Sequence, residues 1–471
     1  YQIYIKLIKP NLRFFNMNIA IAGAGFVGVV HAATMSSQDN NVILFDVNAE
    51  RIQSLIDFCE GRSSKLHIHE PGLPELLRRA YEKSFLKFTT NAEAAINAST
   101  VIFSCVGTPP DADGKADLKY VESVAHMLGK SLQLNASYKI LVNKSTVPVG
   151  TAKKVENIIK GYYSGDFDVV SNPETLAEGR AVRDSTMPKR IIVGVNSERA
   201  KKIMRDLYAP FFLTQQEKIY FMSPESSELT KYVCNAYLAS QVVLTNIFAN
   251  IAKKSGANWR DMIPAILDDI RIGKFVHPGL GFGGSCFDKD VSQLYHTIKD
   301  MGGNEQDFIV LDQILTQNRH QRLEINRTLD KIYNTDLTGK QFTIWGLSFK
   351  KETNDTRDAA SVEVIPKLLE QGAIVHAHDP EANEEFLREM QHKKIDLTNF
   401  KLFKDKYEAV NNSDALIILN DWKTYRLPDF HALEEKMKAK VIFDGKDLLN
   451  YTQIQDTNFS YHAIGRPNII K

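Results

Sequence analysis

Ile19-Ala20-Ile21-Ala22-Gly23-Ala24-Gly25-Phe26-Val27-Gly28 decides how the front of this 471-residue chain folds. A short apolar strand runs into glycines, and a helix-patterned run follows through Ala33 and Met35. A second apolar strand, Val42-Ile43-Leu44-Phe45, ends at Asp46. Gly23, Gly25 and Gly28, with Phe26 and Val27 between them, permit a tight turn. They also let backbone approach a pyrophosphate resting on the helix N-terminus. Asp46 stands where a carboxylate can accept both ribose hydroxyls, which disfavours a 2′-phosphate and so favours NAD over NADP. Alone, Gly-x-Gly-x-x-Gly is weak evidence. With a strand before, a helix after and the acid in place, it is a dinucleotide fingerprint; the bland alternative is a Gly-rich turn without a ligand.

Working outward, Val101 to Val106 runs into Gly107-Thr108-Pro109-Pro110, and Ile140 to Val142 runs into Lys144-Ser145-Thr146-Val147-Pro148. Ligands of parallel sheets sit outside the carboxyl ends of the strands, so Thr108, Pro109 and Thr146 are expected to face the cofactor and reaction zone. Ordinary strand-end turns would explain any one singly. A second strand-and-glycine unit opens at Gly339-Lys340-Gln341-Phe342-Thr343-Ile344-Trp345-Gly346. A helix from Ser361 to Gln371 follows, then strands at 374–377, 415–419 and 441–443. The unit lacks the dinucleotide fingerprint, so its expected ligand is not a standard dinucleotide. The fold class is α/β, with two Rossmann-like doubly wound domains joined by a long central helix.

That helix is read from Pro224 to just before Gly256, with no further Gly or Pro between them. Leu229, Val233, Ala236, Ser240, Leu244, Ile247 and Ile251 form its stripe, read as core with a dimer surface. Lys231 and Asn235 lie one turn apart on one face and could hold an oxygen-rich ligand, or simply a solvated edge. The expected divisions are an N-terminal extension over 1–16, a NAD-binding domain over 17–222, a central helical domain over 223–334, and a second Rossmann-like domain over 335–471.

Composition narrows the partners. Lys plus Arg number 58 against 57 acids, for a net charge of +1, which argues against nucleic acid or a membrane surface. No apolar run reaches membrane-spanning length, and 1–16 lacks the marks of a signal peptide. Cys59, Cys105, Cys234 and Cys286 show no Cys-x-x-Cys spacing, so neither a zinc site nor a disulfide framework is indicated, and a reducing cytoplasm fits. His67-Ile68-His69-Glu70 reads as a strand or loop edge before Pro71-Gly72. No third metal ligand is evident, and no metal is expected.

The chemistry concentrates in Gly279-Leu280-Gly281-Phe282-Gly283-Gly284-Ser285-Cys286-Phe287-Asp288-Lys289-Asp290. The glycines deliver one thiol to the start of a helix patterned by Val291, Leu294, Tyr295 and Ile298. The helix N-terminus and Lys289 both favour thiolate below the unperturbed pKa of about 8.5. An isolated cysteine is more often buried and inert. The glycines, Lys289 and Asp290 turn the reading towards a nucleophile.

These segments, in this order, resemble the UDP-glucose/GDP-mannose dehydrogenase family from Met17 to about Gly445. Also in the family's order are Glu70-Pro71-Gly72-Leu73, Asn172-Pro173-Glu174-Thr175-Leu176-Ala177-Glu178-Gly179, and Phe349-Lys350 through Asp355-Thr356-Arg357. The resemblance implies two successive NAD-dependent oxidations at one carbon of a UDP-sugar, UDP-glucose foremost, through a covalent adduct on Cys286. GDP-mannose, a UDP-N-acetylhexosamine and a catalytically silent NAD-binding regulator are the alternatives. It implies oxyanion stabilisation by Lys231 and Asn235, and acid/base or water-activating work by Asp290 with Thr146 and Glu178. Cofactor contacts would be Asp46, Arg51, Thr108, Thr146, Glu178, Lys289 and Arg357. Substrate contacts would be Glu174, Thr175, Leu176, Lys231, Asn235, Phe282, Gly283, Phe349, Lys350 and Lys446. Arg271 would reach the substrate of a neighbouring subunit, making the active unit a homodimer or larger. Glu174 and Glu178 are expected to share one side of a helical turn. The family usually has Phe at Thr175 and often Arg at Lys446, and the spacer from Arg271 to Cys286 is one residue shorter than in animal-type members. Those departures bear on which sugar and base are held.

Overall fold

The computed structural model describes residues 16–111, 114–212, 218–333 and 335–471. The extension expected over 1–16 lies outside them except for Asn16. Contacts divide the chain into two compact units, meeting at Lys231 and Tyr232.

The first unit is built on an eight-stranded sheet. Its strands are β1 (Asn18–Ala22), β2 (Asn41–Phe45), β3 (Leu86–Thr89), β4 (Val101–Ser104), β5 (Lys139–Asn143), β6 (Phe167–Ser171), β7 (Ile191–Gly194) and β8 (Ile219–Met222). They lie in the order 3-2-1-4-5-6-7-8, and all neighbours are parallel except β6 and β7. The central strands read as unbroken apolar runs because both faces are covered. Ile19, Ile21, Val101 and Phe103 enter one core; Ala20, Ala22, Ile102 and Leu141 enter the core on the opposite face. The order reverses between β1 and β4, the switch point where such sheets take ligands.

The second unit carries a six-stranded, all-parallel sheet of β9 (Gln341–Trp345), β10 (Ile374–His378), β11 (Phe400–Leu402), β12 (Ala415–Ile418), β13 (Val441–Asp444) and β14 (Ser460–Ala463). Its order, 11-10-9-12-13-14, repeats the doubly wound pattern. Phe342 and Ile344 face one core, and Trp345, Leu416 and Ile418 face another. Asp379 follows β10 as Asp46 follows β2, but it is 1% exposed. Its carboxylate accepts from the amides of Leu347, Glu381 and Ala382 and from the Trp422 indole. The acid that would greet a ribose is therefore occupied by the protein itself.

The long helix spans Pro224–Ser255, 32 residues. Ser223 Oγ accepts from the Ser226 amide at its start, and Gly256 ends it at φ +82°. Its buried residues include the small Ala236, Ala239, Ala249 and Ala252, together with Tyr232 and Val243. The expected core stripe is only partly core. Leu229, Val233, Leu244 and Ile251 are exposed, together with Tyr237 and Phe248. The helix is apolar on more than one face, and spacing alone cannot say which face is covered within one chain.

One residue of this helix fastens another helix. Glu228, 2% exposed, accepts from the amides of Gly150 and Ala152, each at 2.7 Å. Gly150 is left-handed and offers no side-chain cap to the helix Thr151–Lys160, so Glu228 supplies it. Burial pushes its carboxyl up to about 7 against the pull of those donors. Glu228→Ala should lower unfolding free energy by about 1–3 kcal/mol in urea titration, the range for a lost cap with orphaned donors. The folded protein holds this proton more tightly than the unfolded chain. Glu228's contribution is therefore greatest below pH about 4.5 and declines as pH rises through about 7. The stability of wild type relative to the non-titrating Glu228→Gln should fall as pH rises across that window.

Candidate active site

In the first unit the glycines after β1 shape a cradle. A Cβ on Gly28 would sit 1.9 Å from the Gly23 carbonyl oxygen, and one on Gly23 2.8 Å from the Cys105 carbonyl oxygen. Gly25 differs: a Cβ there would meet no atom within 4 Å. The helix Phe26–Ser36 that begins beside it has no side-chain cap, so its first amides are offered outward. Asp46 Oδ2 accepts from the Ala24 amide at 2.7 Å and Oδ1 from the Asn48 amide at 2.8 Å. A carboxylate held this way keeps lone pairs for ribose hydroxyls. An open, uncapped helix start and an oriented, half-buried acid fit NAD. Arg51, exposed on the helix Ala49–Cys59, and Asp46 both act electrostatically on His67. His67 is not on a strand; its Nε2 lies 3.0 Å from the Ala24 carbonyl oxygen, and burial pushes its pKa down. Thr108 Oγ1 donates to the Thr146 carbonyl at 3.0 Å, clasping the ends of β4 and β5 beside the switch point.

Lys231 Nζ lies 2.6 Å from Glu174 Oε1, and both side chains are 9% exposed. Burial pushes Glu174 up, but the Lys231 ammonium and the Leu176 amide outweigh it and hold the carboxyl below its ordinary range. Nearby Lys144 donates to Asn172 Oδ1 at 3.1 Å and is pushed down to about 8 by burial. Glu174 and Glu178 do not share a helical turn. Residues 172–177 are irregular, and the helix begins only at Ala181. Pro173 disfavours helical backbone at Asn172, and Glu174 Oε2 instead accepts from the Leu176 amide at 2.6 Å. Thr175, Leu176 and Glu178 are half-buried on this segment.

In the second unit Cys286 is the N-cap of the helix Phe287–Asp300 and is exposed. Its Sγ lies 3.7 Å from Ser285 Oγ, and its carbonyl accepts from the Asp290 amide at 2.8 Å. Asp290 is 1% exposed and accepts from Asn235 Nδ2 at 2.6 Å and from Lys289 Nζ at 2.7 Å. Lys289 is thus tied to a carboxylate. The helix N-terminus is a positive influence at Cys286.

Phe282 packs edge-on to Phe287 at 5.3 Å. Gly283 and Gly284 approach so closely that added Cβ atoms would lie 2.3 Å from the Asp358 carbonyl oxygen and 2.8 Å from the Phe349 ring. Lys350 Nζ sits 5.1 Å over that ring. Lys446 is pushed down by burial, and a Cβ on Gly279 would be 3.7 Å from its Nζ. Phe282, Gly283, Phe349, Lys350 and Lys446 therefore gather around the cysteine loop. The Arg357 carbonyl accepts from the Gly284 amide at 2.8 Å, while its guanidinium grips Asp355. Arg271 is 85% exposed and grips Asp269. Sequence reasoning missed Asn318 and Arg322, whose side chains bind main-chain groups of the cysteine loop, and Glu228, which accepts from the amides of Gly150 and Ala152. Polar residues one turn apart on a helix carry no signal that separates them from a solvated edge. Among the described residues, no group of three or more His, Cys, Asp or Glu could hold a metal, and no helix is long and apolar enough to cross a membrane.

Two doubly wound sheets in one chain, the first carrying a cradle fitted to NAD and the second unit an exposed thiol backed by a buried carboxylate, define a nucleotide-dependent oxidoreductase. Residues 17–212 match the UDP-glucose/GDP-mannose dehydrogenase family's NAD binding domain, 225–320 its central domain and 343–451 its UDP binding domain. A UDP-glucose 6-dehydrogenase of Bacillus subtilis is 36% identical, over 96% of this chain and 94% of that one. One of Pseudomonas aeruginosa is 35% identical, over 96% and 98%. The solved structure of a UDP-glucose dehydrogenase from Pyrobaculum islandicum superposes with a TM-score of 0.85 at 31% identity, over 96% and 99%. The chain belongs to the UDP-glucose/GDP-mannose dehydrogenase family, and its work is NAD-dependent nucleotide-sugar oxidation.

The Lys231–Glu174 pair generates a direct test. Removing one partner of a buried pair leaves an uncompensated charge, whereas replacing both with apolar groups is often neutral. Lys231→Met should cost about 3–5 kcal/mol in denaturant unfolding, and Lys231→Met with Glu174→Leu should recover most of it.

Proposed function

We propose that this chain oxidises UDP-glucose to UDP-glucuronate in two steps through a covalent adduct on Cys286. The observation that carries the reading is the exposed thiol at a helix N-terminus, with buried Asp290 one turn along and bound to Asn235. Relatives named UDP-glucose 6-dehydrogenase at 32–36% identity over nearly the whole chain support the choice of sugar.

NAD, when bound in the cradle after β1, would supply the hydride acceptor for each oxidation. The chain's own residues do the rest. The first oxidation leaves an aldehyde at the sugar's C6. The Cys286 sulfur adds to that carbon, and the proton lost from the thiol balances the new oxygen, giving a thiohemiacetal. Loss of a second hydride and a proton leaves a thioester. Water then attacks the thioester carbon, the carbon–sulfur bond breaks, and the acid leaves with the thiol restored. Splitting a difficult conversion this way is the use of a covalent nucleophile. Lys231 and Asn235 would donate to the oxygen as negative charge develops on it. Asp290, with Thr146 and Glu178, would position or deprotonate the water.

Gly23, Gly25, Gly28, Asp46, Arg51, Thr108, Lys289 and Arg357 are proposed for the cofactor. Glu174, Thr175, Leu176, Phe282, Gly283, Phe349, Lys350 and Lys446 are proposed for the sugar nucleotide, with Arg271 for a neighbour's. The work is divided among 17–222 for NAD, 223–334 for the nucleophile and 335–471 for the UDP-sugar. The exposed Leu229, Val233, Tyr237, Leu244, Phe248 and Ile251 of the long helix support a homodimer or larger assembly. A reducing cytoplasm suits a chain whose cysteines form no disulfide.

Stoichiometry decides the reading. Two NADH should form per UDP-glucose consumed, and Cys286→Ser should stall after partial oxidation with no uronate. Two NADH per UDP-N-acetylhexosamine or GDP-mannose, with none from UDP-glucose, would move the substrate. Normal uronate formation by Cys286→Ser would end the mechanism.

A further inference from the structure

The stretch Gly279–Phe282 before the nucleophile belongs to no strand, yet its main chain is held as if it did. The Gly279 amide donates to Asn246 Oδ1 at 2.8 Å, and the Gly279 carbonyl accepts from Gln321 Nε2 at 2.8 Å. The Phe282 amide donates to Asn318 Oδ1 at 2.8 Å, and its carbonyl accepts from Asn318 Nδ2 at 3.0 Å. Asn318 thus reads both main-chain groups of one residue, as a neighbouring strand would. Gly281 makes that approach possible: at φ +74°, a Cβ on it would lie 2.5 Å from Asn318 Oδ1. Buried main-chain groups need partners, and side-chain amides are the partners here.

Arg322 completes the grip and extends it past the thiol. Its Nε and one Nη donate to the Phe282 carbonyl at 3.2 and 3.0 Å. The same guanidinium binds Asp288 in the first turn after Cys286, and Glu363 at 2.8 Å. Arg322 is 3% exposed and Asn318 fully buried. Asn318, Gln321 and Arg322 occupy one face in the last turn of the helix Glu305–Arg322. One side chain therefore touches the chain on both flanks of the nucleophile. A planar fork can do that; an ammonium cannot serve all these acceptors in one plane.

We infer that Asn318 and Arg322 are positioning residues for Cys286: together they fix the path of the nucleophile's loop from Phe282 to Asp288, and so where the sulfur meets the substrate carbon. The inference deepens the proposed function and rests on it for its kinetic arm. It places no new group on the substrate. It assigns the accuracy of the sulfur's placement to a helix end whose side chains bind main chain and a flanking carboxylate.

The test uses Arg322→Lys, which keeps charge but loses the fork, and Asn318→Asp, which keeps shape but sets an oxygen against the Phe282 carbonyl. Each is compared with wild type by thermal melt, by kcat and KM for UDP-glucose and NAD, and by the pH profile of Cys286 alkylation with iodoacetamide, read by peptide mass spectrometry. Misplacing a reacting group by about 1 Å can cost about 100-fold. Folded variants should lose about 10- to 100-fold in kcat, with KM for NAD within about threefold, and should show an altered alkylation profile. If Arg322→Lys does not fold, Asn318→Asp decides. A folded variant with wild-type kcat and alkylation profile overturns the inference, as does a loss confined to KM. Alkylation needs no sugar nucleotide, so a failed substrate assignment and a failed positioning role give different results.

Discussion

An ammonium buried beside a carboxylate is the constraint on which much of the first unit depends. Lys231 is tolerable in the interior because Glu174 meets it at 2.6 Å, and Glu174 stays charged because Lys231 and the Leu176 amide answer it. Neither charge is stable alone. The pair therefore demands that the irregular segment after β6 and the first turns of the long helix occupy fixed places. Glu228, one turn earlier, applies the same demand to the helix after β5. Such pairs contribute little net stability compared with apolar packing, and their value lies in the geometry they enforce.

The two sheets share a winding and differ in what their loops leave available. After β1 the glycines leave an open helix start, and Asp46 keeps part of its hydrogen-bonding capacity. After β9, Gly346 faces Asn420 so closely that a Cβ would lie 2.2 Å from that side chain, and Asp379 is surrounded by protein donors. The same topology thus supports a dinucleotide cradle in one unit and a closed turn in the other. Fold did not decide this; the donors aimed at one acid did.

Legibility in the sequence followed burial. β1, β2, β4, β5, β9, β10, β12 and β13 are apolar runs and are plain from pattern. Leu86–Thr89, Phe400–Leu402 and Ser460–Ala463 are short or half-polar margins, and they become strands only because a neighbour supplies the ladder. The glycine cradle, Asp46, Cys286 and Asp290 were visible because their chemistry is local in sequence. The Glu174–Glu178 turn was misjudged because a side chain competing for its own backbone leaves no periodic trace. The grip on the cysteine loop was invisible for another reason: it joins main chain to side chains far along the chain.

That last feature bears on how such an enzyme can change. Because Asn318 reads the amide and carbonyl of residue 282, the path of the loop is held through main chain, while the Phe282 ring is buried with Ala236, Val291 and Ile314. A lineage could exchange Phe282 for another apolar side chain that fills the same space, because the two main-chain bonds do not depend on the ring. The course of the loop and the packing beneath it are thereby separately heritable.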